Sequence, residues 1–316
     1  MADRPETMSR DLGEMHFAVV GAYVADCLVT APRLPQWGEV YEARSIRTSP
    51  GGKGLNQAVA LARLGAHVCA VGAVGDDGLG RDIMSALTGE GIETRFFVTR
   101  ENAATSICLC FAGDNGQTSF VWHIDEDVTV TPEIVRGAEP ALRQADAVLI
   151  TFEAPISTIR EVITLANRCD ARVFLNPAPA LADPAAVSAL PWRNVDVLVP
   201  NEAEARAILE GLGVSRQPLE KDDLASTLAC ELGVPLVIVT LGESGCTVHS
   251  HGVTRRYSAQ QTAPVDTTGA GDAFTATLAA SLAQGRPERA AIEAATAAAA
   301  FSIGRHGGYE SMPFRG

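Results

Sequence analysis

The sequence predicts an α/β protein in which helices cover a mostly parallel sheet. From about residue 131 onward, short apolar segments alternate with helical stretches, and this alternation is typical of βα units. Most of these segments are apolar throughout, as expected for strands that are buried on both faces. The predicted sheet strands lie at residues 17–21, 68–74, 147–151, 172–175, 195–199 and 236–240.

Residues 38–48 and 105–124 do not fit this layered pattern. Residues 38–48 are less apolar and alternate loosely, which predicts exposed strands. Residues 105–111 and 118–124 flank a turn that contains Gly, Asp and Asn, which predicts a β-hairpin. We therefore expect both segments to form a small β lid beside the main body.

The composition is that of a soluble globular protein. Of the 316 residues, 47% are hydrophobic and 20% are charged, enough for a sizeable core. The net charge of -13 argues against a nucleic acid or an anionic membrane as partner. We expect residues 1–14, which are mostly polar, to form a disordered tail before one domain at 15–316.

The location expected from the sequence is the cytoplasm. The first residues lack the apolar stretch of a signal peptide, and no apolar run reaches the ~20 residues that span a bilayer. The seven cysteines form no Cys-x-x-Cys pair and are odd in number, which predicts free thiols in a reducing compartment.

Polar and glycine-rich turns follow nearly every predicted strand. In open α/β sheets, ligands bind at the carboxyl ends of the strands, so these turns are expected to form one site. The candidates are Asp26, residues 51–54 with Asn56, Glu153, residues 176–177, Asn201 with Glu204, residues 240–242 and residues 269–272.

The most informative turn is Gly269-Ala270-Gly271-Asp272, which precedes an Ala-rich apolar stretch. If a helix begins here, its first N–H groups are unpaired and form a site for an anion. A carboxylate beside an anion is unusual in a pure binding loop. It is expected if Asp272 takes a proton from an alcohol that attacks a phosphate. The turn therefore predicts phosphoryl transfer to a hydroxyl.

Three other motifs allow a structural and a functional interpretation. Residues 49–56 are not a Walker A loop, because Gly54 instead of Ser or Thr follows Lys53. They form either a flexible turn or a backbone that lies close to a polyol, with Asn56 hydrogen-bonded to that polyol. Asn201 and Glu204 form either a helix cap or a support for the water shell of Mg²⁺. Asp266 is either structural or a cation ligand together with a nearby carbonyl.

Five segments together resemble the ribokinase family of sugar kinases, in that family's order and spacing. They are residues 51–56, 176–180, 200–204, 240–245 and 266–272, and the likeness covers about residues 15–316. The resemblance implies a ribokinase-like three-layer sandwich with a central, mostly parallel sheet and a small β-strand lid. It also implies an ATP-dependent kinase for the primary hydroxyl of a pentose, with Mg²⁺ and K⁺ as cofactors and a homodimer formed through the lid strands.

The resemblance further implies a role for each matching residue. Asp272 looks like the catalytic base, and the amides of Gly269, Ala270 and Gly271 look like the anion hole. The residues that match sugar contacts are Asp26, Gly52, Asn56, Glu153 and Asp272. Those that match nucleotide contacts are Asn201, Thr240, Gly242, Gly245 and Gly271, and Glu204 matches a Mg²⁺-water ligand. The monovalent-cation loop is matched by Asp266, Thr268, Ser302, Arg305, Gly307 and Ser311.

Two positions depart from the family's pattern. Val24 stands two residues before Asp26, where ribokinases have an asparagine, and valine cannot hydrogen-bond a sugar hydroxyl. An unpaired hydroxyl costs roughly 1–3 kcal/mol, so a sugar without that hydroxyl, such as 2-deoxyribose, is predicted to be tolerated or preferred. Thr296 stands where many ribokinases have a histidine near the adenine.

Three other functions remain open at this point. One is a nucleoside kinase on the same fold, and another is a catalytically silent sugar or nucleotide sensor. The third is a dinucleotide-dependent dehydrogenase, against which the missing Gly-x-Gly-x-x-Gly argues.

Overall fold

The computed structural model describes residues 10–113, 118–180, 184–214 and 219–315. In these ranges the strands are β1 His16–Val20, β2 Val24–Thr30, β3 Ser45–Gly51, β4 His67–Val71, β5 Ala73–Gly75, β6 Val98–Arg100, β7 Ile107–Ala112, β8 Thr118–His123, β9 Ala147–Thr151, β10 Arg172–Asn176, β11 Val197–Leu198, β12 Leu236–Thr240, β13 Cys246–Ser250 and β14 Val253–Tyr257.

The helices surround the strands on both sides. They are α1 Lys53–Leu64, α2 Gly78–Gly89, α3 Pro132–Gly137, α4 Glu139–Gln144, α5 Ile156–Arg168, α6 Pro184–Ser188, α7 Glu202–Gly211, α8 Leu224–Leu232, α9 Ala270–Ala283 and α10 Glu288–Ile303. Within the described ranges, every helix is too short or too polar to cross a bilayer.

An eight-stranded sheet forms the centre of the body, in the order β14-β13-β12-β11-β10-β9-β1-β4. The strands from β4 to β12 in this order are parallel, and β13 and β14 add an antiparallel hairpin at one edge. Ala18 and Val20 of β1 belong to one buried cluster, and Phe17 and Val19 belong to the other. Since successive strand residues point to opposite faces, the sheet has a core on each side. The predicted α/β architecture is confirmed.

The helices present apolar faces to these two cores. In α5, Ile159, Val162, Ile163 and Ala166 are all buried, at the spacing of one helix face. On the other side, α9 packs against both α1 and α10, and it is buried almost all around because it is built mainly from alanine and other small residues. This central position of α9 fixes the residues at its start against the sheet.

A second, four-stranded sheet has the order β3-β2-β7-β8 and forms the lid. The hairpin expected at 105–124 is present as the antiparallel pair β7 and β8, and part of its turn lies outside the described residues. The strand expected over 38–48 begins only at Ser45, because Arg33 and Gln36 both bind the Glu39 carboxylate and hold the preceding residues in a loop. Strand β2 was not predicted, since Asp26 and Cys27 interrupt its apolar pattern.

The expected tail is partly structured. Residues 1–9 lie outside the described residues. The prediction is wrong for residues 10–14, because Leu12 is buried in a 3-10 turn and Arg10 forms an ion pair with Asp146 at 2.7 Å. The strand expected at 68–74 is divided at Gly72 into β4 and β5, and the strand expected at 195–199 is reduced to two residues.

Candidate active site

The start of α9 places Asp272 at the carboxyl edge of the sheet. Gly269 precedes the helix with a φ of 78°, and a Cβ there would lie 2.7 Å from Met312 Cε, so glycine is required. Asp272 lies in the first turn and is only 3% exposed. The N–H groups of such a turn lack intrahelical acceptors. The space beside Gly271 is open, because an added Cβ would meet no atom within 4 Å.

Two amide side chains from α1 hold the carboxylate of Asp272. Asn56 Nδ2 donates to Asp272 Oδ2 at 2.9 Å, and Gln57 Nε2 donates to Oδ1 at 3.0 Å. Asn56 is 4% exposed and Gln57 is fully buried. The structure therefore brings Asn56 and Asp272 together as predicted. Gln57 was missed from the sequence, although it directly follows Asn56.

The glycine-rich turn before α1 meets the end of β9. Gly52 has a φ of 90°, and a Cβ at this position would lie 2.6 Å from the carbonyl oxygen of Ala22. The backbone N–H of Lys53 donates to Glu153 Oε2 at 3.2 Å, and Thr151 Oγ1 donates to the same oxygen at 3.4 Å. Glu153 thus occupies the N-terminus of α1, where a negative charge is favourable.

Several carboxylates in this region disturb one another's ionisation. Burial raises the pKa of Asp26 to about 7, and the charges of Glu310 and Asp272 add to the effect. Burial also raises the pKa of Glu153 to about 7, with the Lys53 ammonium acting against it and Asp272 acting with it. Asp26 on β2, Glu153 just after β9 and Asp272 on α9 thus influence one another's ionisation.

Lys53 is a second residue that sequence analysis left without a role. Burial disfavours its charged form, but the nearby carboxylates, Asp272 first among them, hold its pKa above the ordinary value. Glu153, Glu204 and Asp26 contribute to the same effect. Lys53 is thus a cation surrounded by acidic side chains, and the sequence signal for it was its place in the Gly-Gly-Lys-Gly turn.

Asn201 and Glu204 form a capping box at the start of α7. Asn201 Oδ1 accepts from the Glu204 N–H at 2.8 Å, and Glu204 Oε2 accepts from the Asn201 N–H at 2.8 Å. Asn201 Nδ2 also donates to Glu204 Oε1 at 2.7 Å. The capping interpretation of this pair is confirmed. Burial raises the pKa of Glu204, while the hydrogen bond from Asn201 works in the opposite direction.

The turn after β12 lies beside Asn201. The N–H of Thr240 donates to Pro200 O at 2.9 Å, which joins the ends of β11 and β12. Leu241 N donates to Gly245 O at 2.7 Å and closes the turn that contains Gly242. In contrast, Asn176 is directed into the body, because its Nδ2 donates to Val199 O at 2.7 Å.

The six residues expected around a monovalent cation also meet in one loop region. Asp266 accepts from the N–H of Thr268 at 2.9 Å and from the N–H of Gly307 at 3.0 Å. Burial opposes ionisation of Asp266, but these bonds hold its pKa below the ordinary value. Ser302 and Ser311 have their hydroxyls 2.8 Å apart.

Arg305 joins this loop through its backbone. Its N–H donates to Ser302 O at 2.9 Å. Its guanidinium stacks over the ring of Phe301 and donates to the Phe301 carbonyl at 2.9 Å.

The three-layer body, the β lid and the buried aspartate at the start of α9 together define a ribokinase-like α/β protein. Residues 15–315 match the model of the pfkB family carbohydrate kinases. The chain belongs to this family and is a ribokinase-like carbohydrate kinase.

Individual relatives support this assignment over nearly the whole chain. Ribokinase of Bacillus subtilis is 34% identical, with 95% of this chain and 97% of the relative covered. Deoxyribokinase of Salmonella typhi is 30% identical, with 95% and 96% covered. The structure of Arabidopsis thaliana ribokinase in complex with ribose and ATP superposes with a TM-score of 0.80 at 28% identity, covering 95% of this chain and 96% of that one.

Proposed function

We propose that the protein transfers the γ-phosphoryl group of ATP to the primary hydroxyl of a pentose of the ribose or deoxyribose type. The observation that carries this proposal is the place of Asp272, a buried carboxylate in the first turn of α9 that is held by Asn56. The similarity to a ribokinase and a deoxyribokinase supports the choice of sugar.

The sugar is proposed to bind between β2 of the lid and the starts of α1 and α9. Its contacts are Asp26, Gly52, Asn56, Glu153 and Asp272. The carboxyl groups of Asp26 and Glu153 have pKa values of about 7. Each can accept a hydrogen bond from a sugar hydroxyl when ionised and can donate one when protonated. Val24 is buried, and its register partner in β3 is Gly51, next to the sugar-binding turn. An apolar residue at this position favours a sugar that lacks one hydroxyl.

The nucleotide is proposed to contact Asn201, Thr240, Gly242, Gly245 and Gly271. The open space beside Gly271 and the first N–H groups of α9 suit a phosphate at the helix N-terminus. When bound, Mg²⁺ supplies charge neutralisation at the β- and γ-phosphates. The excess of carboxylates over Lys53 suits a divalent cation. Glu204 would hold it through a water molecule, because both its oxygens already accept from Asn201.

The chemical step is derived from the chain's own groups. The amides of Gly269, Ala270 and Gly271 stabilise the charge that develops on the transferred phosphoryl group. Asp272 accepts the proton of the attacking hydroxyl as general base. Closure of the lid excludes water and so limits hydrolysis of ATP.

The loop of Asp266, Thr268, Ser302, Arg305, Gly307 and Ser311 is proposed to bind K⁺. Its oxygen atoms suit a hard cation, since Ser311 Oγ lies 2.8 Å from the Gly308 carbonyl and Ser302 Oγ lies 3.5 Å from that of Thr268. The loop is continuous with the start of α9, so a bound cation would fix the position of the N–H groups that form the anion hole. Activity in K⁺ is expected to exceed activity in Na⁺, and equal rates would contradict this site.

We also place the protein in the cytoplasm as a homodimer that forms through the lid strands. All seven cysteines are free, in keeping with a reducing compartment. All residues of β8 are exposed, among them Phe120 at 51% and Trp122 at 52%. Aromatic residues are enriched at protein interfaces, so a second copy of the lid is a fitting partner for this strand.

The experiment that tests the function is a coupled ADP-release screen over pentoses, deoxypentoses, hexoses and nucleosides, each with and without K⁺. The proposal expects turnover of a pentose or a deoxypentose. A clear preference for nucleosides would replace it with a nucleoside kinase. Binding of a sugar without ADP release would indicate a silent sensor.

A further inference from the structure

We propose that Gln57 is a positioning residue that holds Oδ1 of Asp272 throughout turnover and leaves Oδ2 as the atom that receives the proton. The inference rests on the proposed role of Asp272 as general base. It concerns a side chain that reaches Asp272 from inside the core.

The two amide side chains of α1 differ in whether a substrate can reach them. Residues 56 and 57 are consecutive on the helix, so their side chains leave it about 100° apart and approach Asp272 from two directions. Gln57 has no exposed surface, and no substrate can reach it. Asn56 belongs to the proposed sugar site. When sugar binds, its Nδ2 can leave Asp272 Oδ2 and hydrogen-bond a sugar hydroxyl instead. The bond from Gln57 Nε2 to Oδ1, at 3.0 Å, therefore persists when Asn56 turns to the substrate.

An unpaired atom indicates why a glutamine occupies this position. Gln57 Oε1 is buried and has no hydrogen-bond partner among the described residues. A buried acceptor without a partner destabilises a fold, and a methionine of similar shape would avoid that loss. The unpaired Oε1 thus gives no reason for a glutamine at this position. The Nε2 donor to Asp272 is the interaction that a methionine would not provide.

The donor also serves the chemistry. Asp272 is only 3% exposed, so protein groups rather than water set the orientation of its carboxylate. The bond from Gln57 Nε2 to Oδ1 fixes the rotation of the carboxylate, so that Oδ2 points in one direction.

The first test compares Gln57→Met with Val59→Ala, a core change on the same helix that lies outside the site. Gln57→Met is expected to lower kcat by ~10–10²-fold with little change in the KM for sugar, the usual effect of a misplaced catalytic group. Val59→Ala should keep the wild-type kcat and KM. An unchanged kcat in Gln57→Met, a loss that falls on KM instead of kcat, or the same losses in Val59→Ala would overturn the proposal.

The second test needs no substrate. Gln57→Glu places two carboxylates in contact and is expected to lower the urea midpoint at pH 8. Adding Asp272→Asn restores the pair with the donor and acceptor exchanged, so the midpoint should rise by more than Asp272→Asn raises it in wild type. Gln57→Glu with Glu153→Gln is the matched control, and its midpoint should rise only by the increment that Glu153→Gln gives in wild type. Simple additivity in both double variants, or an excess in both, would contradict the contact. If wild type phosphorylates no sugar, the proposed function fails, and this test still decides whether Gln57 holds Asp272.

Discussion

The backbone N–H of Lys53 donates to the carboxylate of Glu153 at 3.2 Å, although the two residues are 100 positions apart in the sequence. This bond ties the glycine-rich turn before α1 to the end of β9. It also places the partly buried carboxylate of Glu153 near Asp272, whose negative charge helps to raise the pKa of Glu153. The acidic site is thus assembled at a cost in stability.

Glu153→Gln is expected to stabilise the protein at alkaline pH. Folding raises the pKa of Glu153 from 4.5 to about 7, so the folded state holds more protons than the unfolded state in this window. The unfolding free energy therefore falls as the pH rises from about 4.5 to 7. The unfolding free energy of the variant, measured with urea, should exceed that of wild type by on the order of 1 kcal/mol at pH 8 and by little at pH 5. An equal effect at both pH values would contradict the assigned shift.

Asp272→Asn is expected to raise the stability of the fold. The introduced amide removes a buried negative charge and can donate to Asn56 Oδ1 or Gln57 Oε1, which lack partners in the described part of the chain. Satisfying one such acceptor is worth about 1–2 kcal/mol. Urea unfolding at pH 8 should show a higher midpoint than wild type. A lower midpoint would mean that the carboxylate itself stabilises the fold.

Val24→Asn is expected to shift the sugar preference toward ribose. An amide beside the glycine-rich turn can hydrogen-bond a sugar hydroxyl that valine leaves unpaired. The ratio of kcat/KM for ribose to that for 2-deoxyribose should therefore rise by ~5–100-fold over wild type. The measurement is the ratio of kcat/KM for ribose to that for 2-deoxyribose. Val29→Asn is the matched control, because Val29 lies on the same strand but pairs with Ile46, away from the turn. An unchanged ratio in Val24→Asn would contradict the assigned contact.

The lid strand β8 is expected to lie in a dimer interface. Wild type should sediment as a dimer, and Phe120→Asp combined with Trp122→Asp should shift it to the monomer because the change places charges in an apolar contact. Val253→Asp, at an exposed site on β14, is the control and should leave the dimer intact. A monomeric wild type would contradict the proposed assembly.

The central sheet was the most predictable part of the fold. Strands β9 and β12 have the bounds expected from the sequence, because each is a continuous apolar segment that is buried on both faces. Strand β2 was missed because it is only half-buried and carries polar residues such as Asp26. A strand that covers a polar site does not have the apolar pattern of a core strand.

The site could be predicted where a local motif carries it. The turn from Gly269 to Asp272 was recognisable because its glycines and its carboxylate are adjacent in the sequence. Gln57 was not, since its role arises from a contact with a residue 215 positions away. Lys53 was left without a role because its acidic neighbours come from four separate segments of the chain.

The most direct test of the proposed mechanism is the turnover of Asp272→Asn in the ADP-release assay, with the best sugar from the screen. The account predicts that kcat falls by ~10²–10⁴-fold while the sugar still binds, the usual range for loss of a general base. The higher unfolding midpoint expected above would show that the loss is not a folding defect. Turnover close to that of wild type would contradict the role of Asp272 as the base.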